Sequence, residues 1–293
     1  MFKKILFLII IFCFFNSLNS VSVSKENEGS MIYISNTEIG NYTTIQEGID
    51  AANSGDTIYV YNGTYYENIV IDKSIFLIGE NITSTIIDGR VAGNTVKVNA
   101  NHVTIKGFTI QHSGLIYPNS GINLSSNYNI VEGNLITDNF YGITLYFSSG
   151  NIIRGNTIQK DDHCGIYLSS SSNNTIVNNS IKDNTYNGIG AYYSSDSNFI
   201  RGNNFKNNGF CGVNIRISKE NNIFDNDFSD NNIAIHLPPK NIENNNDFSN
   251  NNVDIEREIT LSGNEPYLFV GLIIVGIIVG FIIYIRRTKF TKK

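Results

Sequence analysis

Carboxylates recur at one position of a repeating pattern, just after a short apolar segment: Asp138, Asp161 with its neighbour Asp162, and Asp183. If these positions stack on adjacent strands, their carboxyl groups lie about 5 Å apart. Carboxylates at that separation share a proton, hold a cation such as Ca²⁺, or act as the two carboxyl groups of a retaining glycosidase. The spacing makes Asp161 and Asp162 candidate catalytic residues, and Asp138, Asp161 and Asp183 candidate metal ligands. Aspartates after a strand also fit a simpler role as turn residues.

Two cysteines and a histidine form a second candidate site. Cys164 and Cys211 each precede the glycine of a repeat, and His163 precedes Cys164. The cysteines lie two repeats apart, so their Cα atoms would be about 9–10 Å from each other, beyond the reach of a disulfide. Soft thiolate and imidazole ligands suit copper, although a set spread over that distance is a poor chelate. The cysteines fit better as small buried core residues, and we expect free thiols.

Aromatic residues cluster on the strand that follows each repeat glycine. The candidate carbohydrate-binding residues are Tyr146, Tyr167, Tyr192, Tyr193 and His163. Rings on an outward-facing sheet stack against sugar rings, while neighbouring Asn and Asp side chains bind hydroxyl groups. The same rings would stabilise the sheet if they packed inward. The sequence alone leaves the orientation of these columns open.

A repeat of about 23 residues must position all of these side chains. Asparagine recurs at intervals of 22, 23, 24 and 23 residues at Asn134, Asn156, Asn179, Asn203 and Asn226. Another asparagine stands five residues before each of these, an aliphatic residue three before, and Ile or Phe two after. The pattern predicts an all-β, right-handed parallel β-helix with three short strands and three turns per rung, clearest over residues 101–232. Recurrent Asn indicates turns with left-handed backbone and side-chain amide ladders.

The solenoid domain is predicted over residues 43–258. Thr44 and Glu47 have the spacing of a helix capping box, so we expect a short helix over 44–53 that covers the first rung. Residues 21–42 read as a linker. The charged residues 254–258 are expected to seal the C-terminal end of the solenoid.

Several N-terminal segments carry a family resemblance. They are residues 45–52 (IQEGIDAA), 55–60 (GDTIYV), 63–68 (GTYYEN), 77–79 (LIG) and 85–89 (TIIDG). Together with the Asn-x-Ile…Gly-Ile repeats that follow, they resemble NosD-type proteins, which are periplasmic copper-associated β-helix proteins in the wider group of carbohydrate-binding and sugar-hydrolysis domains. The resemblance covers about residues 43–250 and implies a pectin-lyase-like fold. It also implies a copper-binding or maturation role as one alternative function.

A second, narrower resemblance concerns catalysis. Asp161 and Asp162, with Arg216 two rungs on, resemble the carboxylates and basic residues of β-helix polygalacturonases. That resemblance implies a polysaccharide hydrolase or lyase as another alternative. The glycine-flanked histidine of those enzymes is missing, because Ile189 stands between glycines at the corresponding place.

The two termini predict export and membrane anchoring. A basic start and a short apolar stretch mark residues 1–20 as a signal peptide. After a juxtamembrane linker at 259–267, residues 268–285 are uncharged and mainly aliphatic, as in a single transmembrane helix. Residues 286–293 are basic, which places this tail in the cytoplasm. We therefore expect a single-pass protein of the cell membrane with its solenoid outside.

Charge narrows the range of partners. The chain has 21 basic and 26 acidic residues, and seven of the basic ones but no acidic ones lie in segments 1–20 and 286–293. The exported part then has 14 basic and 26 acidic residues, a net charge of −12. So acidic a domain argues against nucleic acid as a partner.

We expect a non-catalytic surface module that binds polysaccharide or envelope glycan. The first alternative is a copper-handling accessory protein, and the second is a polysaccharide lyase or glycoside hydrolase. Copper and Ca²⁺ are the metal ions that these readings would involve.

Overall fold

The computed structural model describes residues 29–37 and 40–258. These residues fold into a right-handed parallel β-helix of about ten rungs. The described part contains one helix, α1 (Ile45–Ala51), and 28 short strands. Each strand pairs in parallel with its counterpart in the next rung, so the strands form three parallel sheets along the solenoid.

The strands are numbered in chain order. Sheet 1 contains β1 (Met31–Ile34), β2 (Thr57–Val60), β5 (Phe76–Gly79), β8 (Thr104–Lys106), β11 (Ile130–Glu132), β14 (Ile152–Arg154), β17 (Thr175–Val177), β20 (Phe199–Arg201), β23 (Asn222–Phe224) and β26 (Ile242–Asn244). Sheet 2 contains β3 (Gly63–Tyr65), β6 (Thr85–Asp88), β9 (Thr109–Gln111), β12 (Leu135–Thr137), β15 (Thr157–Gln159), β18 (Ser180–Lys182), β21 (Asn204–Lys206), β24 (Asp227–Ser229) and β27 (Asp247–Ser249). Sheet 3 contains β4 (Ile69–Ile71), β7 (Val96–Val98), β10 (Ser120–Leu124), β13 (Tyr141–Tyr146), β16 (Ile166–Ser169), β19 (Asn187–Tyr192), β22 (Cys211–Ile215), β25 (Ile233–Leu237) and β28 (Val253–Arg257).

The core consists of aliphatic columns, one or more from each sheet. Successive side chains on a strand point to opposite faces, so the alternating residues noted in the sequence all turn inward together. The inward column of sheet 1 is Ile58, Leu77, Ile105, Val131, Ile153, Ile176, Ile200 and Ile223. In sheet 2 the aliphatic column is continued by stacked rings at Phe205, Phe228 and Phe248. These residues belong to one continuous hydrophobic cluster, which confirms the predicted shared core.

Buried asparagine ladders occupy the three corners between sheets. In each ladder the side-chain Oδ1 accepts hydrogen bonds from the backbone N–H and the amide of the residue one rung earlier, as Asn156 does for Asn134 at 3.0 and 3.2 Å. The first two ladders are the predicted columns that contain Asn129 and Asn134. The third, which the sequence analysis missed, runs through Asn139, Asp161, Asn184, Asn208 and Asn231. Asp161 interrupts its amide pattern, which hides the ladder in the sequence.

Helix α1 covers the N-terminal end of the solenoid, as predicted. Thr44 and Glu47 form the capping box, and Ile45 and Ile49 are buried against the first rung. The Glu67 carboxylate also accepts hydrogen bonds from the first two helical N–H groups, at 2.8 and 3.0 Å. A carboxylate at this position satisfies orphan donors and favours the helix dipole.

The C-terminal end of the described solenoid is closed by charge. In the last rung Glu243 replaces the aliphatic residue that follows Ile223 in the core column, and Arg257 follows Leu237 in the same way. Glu243 and Arg257 form an ion pair at 2.6 Å. The predicted seal at 254–258 therefore includes an ion pair that joins two strands of the last described rung. Its charged side chains lie at the end of the apolar columns and disfavour the stacking of a further rung.

One boundary differs from the sequence analysis. The predicted linker at 21–42 contains β1 (Met31–Ile34), which pairs with β2 in parallel. Beyond the clearest repeats at 101–232, but within the predicted solenoid, β26, β27 and β28 add a more polar rung of 20-residue spacing. The asparagine ladders continue in this rung, where Glu243 takes the place of one aliphatic core residue.

The predicted signal peptide (1–20) and transmembrane helix (268–285) lie outside the described residues. Across residues 29–37 and 40–258, no helix has the length and apolar character needed to cross a membrane.

Candidate functional site

The outer face of sheet 3 carries an unusual column of side chains. In register from rung to rung, these residues are Lys97, Asn123, Thr144, Tyr167, Gly190, Asn214 and His236. They alternate with buried aliphatic residues such as Ile143 and Leu145, so the strand pleat directs them away from the core. Strands β13 and β19 are six residues long, twice the usual length in sheet 2, which widens this face.

The 112–119 loop, between β9 and β10, stands beside this face. Its residues Leu115, Ile116 and Tyr117 expose 57%, 70% and 54% of their surface. The loop and the sheet enclose a cleft of about 260 Å³, called here the sheet 3 cleft. It is lined by Asn94, Lys97, Tyr117, Pro118, Asn123, Ser125, Thr144, Tyr146 and Tyr167.

A hydrogen-bond network fixes the floor of the cleft. The Asn123 amide donates to Thr144 Oγ1 at 2.7 Å and accepts from Ser125 Oγ at 2.7 Å. Thr144 Oγ1 also lies 3.0 Å from Ser120 Oγ, which bonds in turn to Asn94 Oδ1 at 3.1 Å. Asn123 and Thr144 are largely buried. Their polar groups are therefore held in place before any ligand arrives.

Aromatic rings form the walls and continue beyond the cleft. Tyr141 lies beneath the surface, with ring centroids 4.8 Å from Tyr167 and 6.3 Å from Tyr117. Burial raises the pKa of Tyr167 to about 12 and also raises the pKa of Tyr141. Both phenols stay neutral at physiological pH. Tyr167 can therefore act in the cleft as a ring surface and a hydroxyl donor, while Tyr141 supports its ring from below.

The predicted carbohydrate-binding tyrosines divide between two environments. Tyr146 and Tyr167 line the cleft, with Tyr146 more exposed than Tyr167. Tyr193 is exposed further along the sheet. Tyr192 folds back over Gly190, where an added Cβ would lie 2.5 Å from its ring. A side chain at position 190 would displace this ring.

The Tyr192 hydroxyl is held by two buried amides. It lies 3.0 Å from Asn187 Nδ2 and 3.3 Å from Asn214 Nδ2. The Oδ1 atoms of both asparagines lack a hydrogen-bond partner among the described residues. Burial raises the pKa of Tyr192, which keeps its phenol neutral in this polar pocket.

His163 lies away from the cleft. It packs at the corner between sheets 2 and 3, with ring centroids 5.7 Å from Phe140, 5.0 Å from Tyr141 and 4.9 Å from Tyr186. Desolvation lowers the pKa of His163. His163 therefore does not line the cleft with Tyr146 and Tyr167, although it and Tyr167 both pack against the Tyr141 ring.

The predicted aspartate column is wrong at one position. Asp138 and Asp183 are exposed turn residues with φ of 57° and 56°, and the matching residue between them is Lys160, also at 57°. Asp161 lies one residue further on and belongs to the third ladder. Adjacent rungs therefore do not present the pair of carboxylates about 5 Å apart that the spacing had indicated.

Asp161 is fully buried, which does not suit a catalytic acid or a metal ligand. Its Oδ1 accepts from the backbone N–H of Asn139 at 3.0 Å, while Oδ2 has no hydrogen-bond partner among the described residues. Burial raises the pKa of this carboxyl well above its usual range. Burial therefore favours the neutral form of the carboxyl that takes the place of a ladder amide. Asp162 and Arg216 are exposed.

The cysteines do not form a copper chelate with the described residues. Cys164 and Cys211 are buried free thiols, as predicted, and the pKa of each is raised to about 12 by burial. His163 Nδ1 lies 3.1 Å from Cys164 Sγ. Nowhere in residues 29–37 and 40–258 do three His, Cys, Asp or Glu side chains gather in a metal-binding group. Protonated buried thiols are poor ligands, so this donor set does not fit copper.

Several cleft residues were missed by the sequence analysis: Asn94, Lys97, Tyr117, Asn123 and Thr144. A change in the spacing of the repeat could have indicated them. Leu135 of β12 follows its register partner Thr109 by 26 residues, whereas Thr157 follows Leu135 by 22. The extra residues form the 112–119 loop, and insertions in a solenoid commonly mark a binding face.

Fold and site together define a right-handed parallel β-helix with a ligand-sized cleft on one sheet. The family comparison agrees with this class. The chain belongs to the family described as periplasmic copper-binding protein (NosD), whose model matches residues 49–265.

Solved structures share the fold at low sequence identity. The complex of XylC with xylose aligns with a TM-score of 0.61 and 11% identity, covering 78% of this chain and 70% of that one. Pectate lyase Pel9A aligns with a TM-score of 0.54 and 14% identity, covering 79% and 78%. At these identities the likeness shows the fold alone.

Curated relatives match over short segments. Probable pectinesterase/pectinesterase inhibitor 17 of Arabidopsis thaliana is 38% identical over 86 residues, which is 28% of this chain and 17% of that protein. Probable pectinesterase/pectinesterase inhibitor 6 of the same organism is 39% identical over 75 residues, or 22% and 14%. The chain thus spans under a fifth of the length of these relatives.

Proposed function

We propose that this protein is a non-catalytic carbohydrate-binding module that holds a polysaccharide in the sheet 3 cleft. The observation that carries the proposal is the cleft itself, in which an ordered polar floor lies between aromatic walls. Asn123 and Thr144 hold hydrogen-bonding groups for hydroxyls, while Tyr117, Tyr146 and Tyr167 offer ring surfaces. Sites for sugars combine these two kinds of contact.

The names of the structural neighbours are consistent with a glycan partner. One solved structure contains xylose and another is a pectate lyase. Support for binding rather than turnover comes from the aspartates. Asp161 is buried in the third ladder, and Asp162 is exposed at the turn beside it.

A glycan array probed with the full chain in detergent tests this function. We expect binding to a polysaccharide class, weakened by Tyr146→Ala, because Tyr146 lines the cleft. Phe147→Ala is the matched control, since Phe147 contacts Tyr146 at 4.7 Å between centroids, is exposed, and does not line the cleft. An array without signal from folded protein would contradict the proposal. Release of new sugar ends from a bound glycan would replace it with an enzymatic function.

Export and membrane anchoring are part of the same proposal. Residues 1–20 and 268–285 have the composition of a signal peptide and a transmembrane helix, and five basic residues follow the second segment. Protease added to intact cells should digest the solenoid and leave the tail at 286–293 protected. Complete protection of the solenoid would contradict this topology.

The family description favours a second function, copper handling. The described donors do not support it, because His163, Cys164 and Cys211 do not assemble a chelate. A competition titration with a Cu(I) chelator decides the matter. Tight binding that is lost in Cys164→Ser would promote this function over glycan binding.

A further inference from the structure

Among the described residues that line the sheet 3 cleft, Lys97 is the single cation. It lies on β7 in register with Asn123, partly buried, on the outward face of sheet 3. The same described lining contains no Asp or Glu. Among the described residues, Lys97 forms no ion pair with any carboxylate.

Several other cations of the described solenoid find partners on the protein, whereas Lys106, Lys160, Lys182 and Arg216 also form no ion pair but lie outside the sheet 3 cleft. Arg154 pairs with Glu132, Arg201 with Asp225, and Arg257 with Glu243. Lys73 donates to the carbonyls of Ile49 and Asp50 at 3.1 and 2.7 Å. In so acidic a chain, an ammonium group without a carboxylate partner inside a cleft is left available to an external anion.

We infer that Lys97 selects a carboxylated sugar, so that the preferred ligand of the cleft is an acidic polysaccharide built from uronate units. This inference rests on the proposed glycan-binding function. The ammonium group pairs with the uronate carboxylate, and the amides of Asn94 and Asn123 face the hydroxyls. The Tyr146 and Tyr167 rings contact the apolar face of the sugar. A partly desolvated ion pair adds more selectivity than one in open water.

Matched ligands test the inference directly. Full-length protein in detergent is titrated with oligogalacturonate, with its methyl ester, and with a neutral xylo-oligosaccharide. We expect the acid to bind about tenfold to hundredfold more tightly than its ester at low salt, since a charge-assisted hydrogen bond is lost on esterification. The preference should shrink as salt is added.

Two variants test whether Lys97 causes the preference for the acid over the ester. Lys97→Gln should bind the acid and the ester with equal affinity. Lys106→Gln, on the outward face of sheet 1, is the matched control and should keep the preference of the unaltered chain.

The outcomes separate this inference from the function on which it rests. Equal binding of acid and ester, binding of the xylo-oligosaccharide alone, or a preference that survives in Lys97→Gln would overturn the role of Lys97 and leave glycan binding intact. Binding of none of the three probes, together with a blank array, would overturn both.

Discussion

Sheets 1 and 3 are built from the same repeat, yet their outer faces differ in kind. On sheet 1, cross-strand charges neutralise one another, as between Glu132 and Arg154. Beside them runs a wide trough of about 520 Å³, floored partly by the backbone of Gly107, Gly133 and Gly155. On sheet 3, a smaller cleft has aromatic walls, a buried polar floor and an unpaired lysine.

The comparison shows how a solenoid separates folding from function. The core columns and corner ladders repeat along both sheets. They therefore determine how each rung folds, but not which ligand the protein binds. The sheet 1 trough is larger, but two of its three charged lining residues, Glu132 and Arg154, pair with each other, and none of its lining residues is aromatic. The sheet 3 cleft has the features of a site because its outward positions and one inserted loop depart from the repeat.

The largest expected effect comes from changes in the hydrophobic core that sheets 1 and 3 share. Ile153→Ala in sheet 1 and Ile166→Ala in sheet 3 should each lower the free energy of unfolding by about 2–5 kcal/mol, because both side chains are fully buried in one core. Chemical denaturation followed by circular dichroism measures this. A loss confined to one of the variants would show that the sheets do not depend on a common core.

The third ladder should respond to pH. The pKa of Asp161 is raised in the folded chain, so its neutral form stabilises the fold fully below about pH 4, and this contribution is lost as pH rises toward the folded pKa. Asp161→Asn should therefore raise the free energy of unfolding by about 1–3 kcal/mol near pH 7.5, and by less near pH 4.

Denaturant melts at pH 4 and pH 7.5 measure this difference, with exposed Asp162→Asn as the control. An Asp161→Asn variant that is less stable than the unaltered chain at pH 7.5 would show that the carboxyl has a role that the ladder amide cannot fill.

The outer face of sheet 3 should also contribute to stability through Tyr192. Tyr192→Phe removes the hydroxyl that Asn187 and Asn214 contact. Among the described residues this leaves the Asn214 amide without a partner and Asn187 Nδ2 with only the Cys164 sulfur, at 3.5 Å. We expect a loss of about 1–2 kcal/mol in the free energy of unfolding. A loss below the error of a denaturant melt would mean that solvent replaces the hydroxyl and that this pocket is open.

The smallest effect is expected on the outer face of sheet 1. Arg154→Gln removes an exposed ion pair with Glu132, so the free energy of unfolding should change by less than about 1 kcal/mol. Glycan affinity should not change. A clear drop in glycan affinity would move the binding site from sheet 3 to the sheet 1 trough.

The sequence was sufficient to predict the fold because every rung repeats its core and turn residues. Asn134 and its counterparts marked one corner, and the Thr44 capping box marked the start of the solenoid. The β1 strand was missed because only two apolar residues, Ile32 and Ile34, alternate there. Two residues are too few to establish a strand pattern. Asp161 was placed one residue out of register, since an aspartate fits both a turn and a disguised ladder position.

The candidate site was only partly predictable. Tyr146 and Tyr167 were found because aromatic residues recur on the strands of sheet 3. Lys97 and Tyr117 were not found, because the first lies in an earlier, less regular rung and the second in an inserted loop. Their proximity depends on how the loop lies against the sheet, which no repeat period specifies.

The most direct test of glycan binding in the sheet 3 cleft compares two exposed tyrosines. Tyr117 lines the cleft and Tyr128 stacks on His102 outside it, and they expose 54% and 56% of their surface. The dissociation constant of the full chain for its strongest array glycan is measured for Tyr117→Ala and Tyr128→Ala. We predict about tenfold weaker binding for Tyr117→Ala and no change for Tyr128→Ala. Equal affinities for the two variants would contradict binding in this cleft.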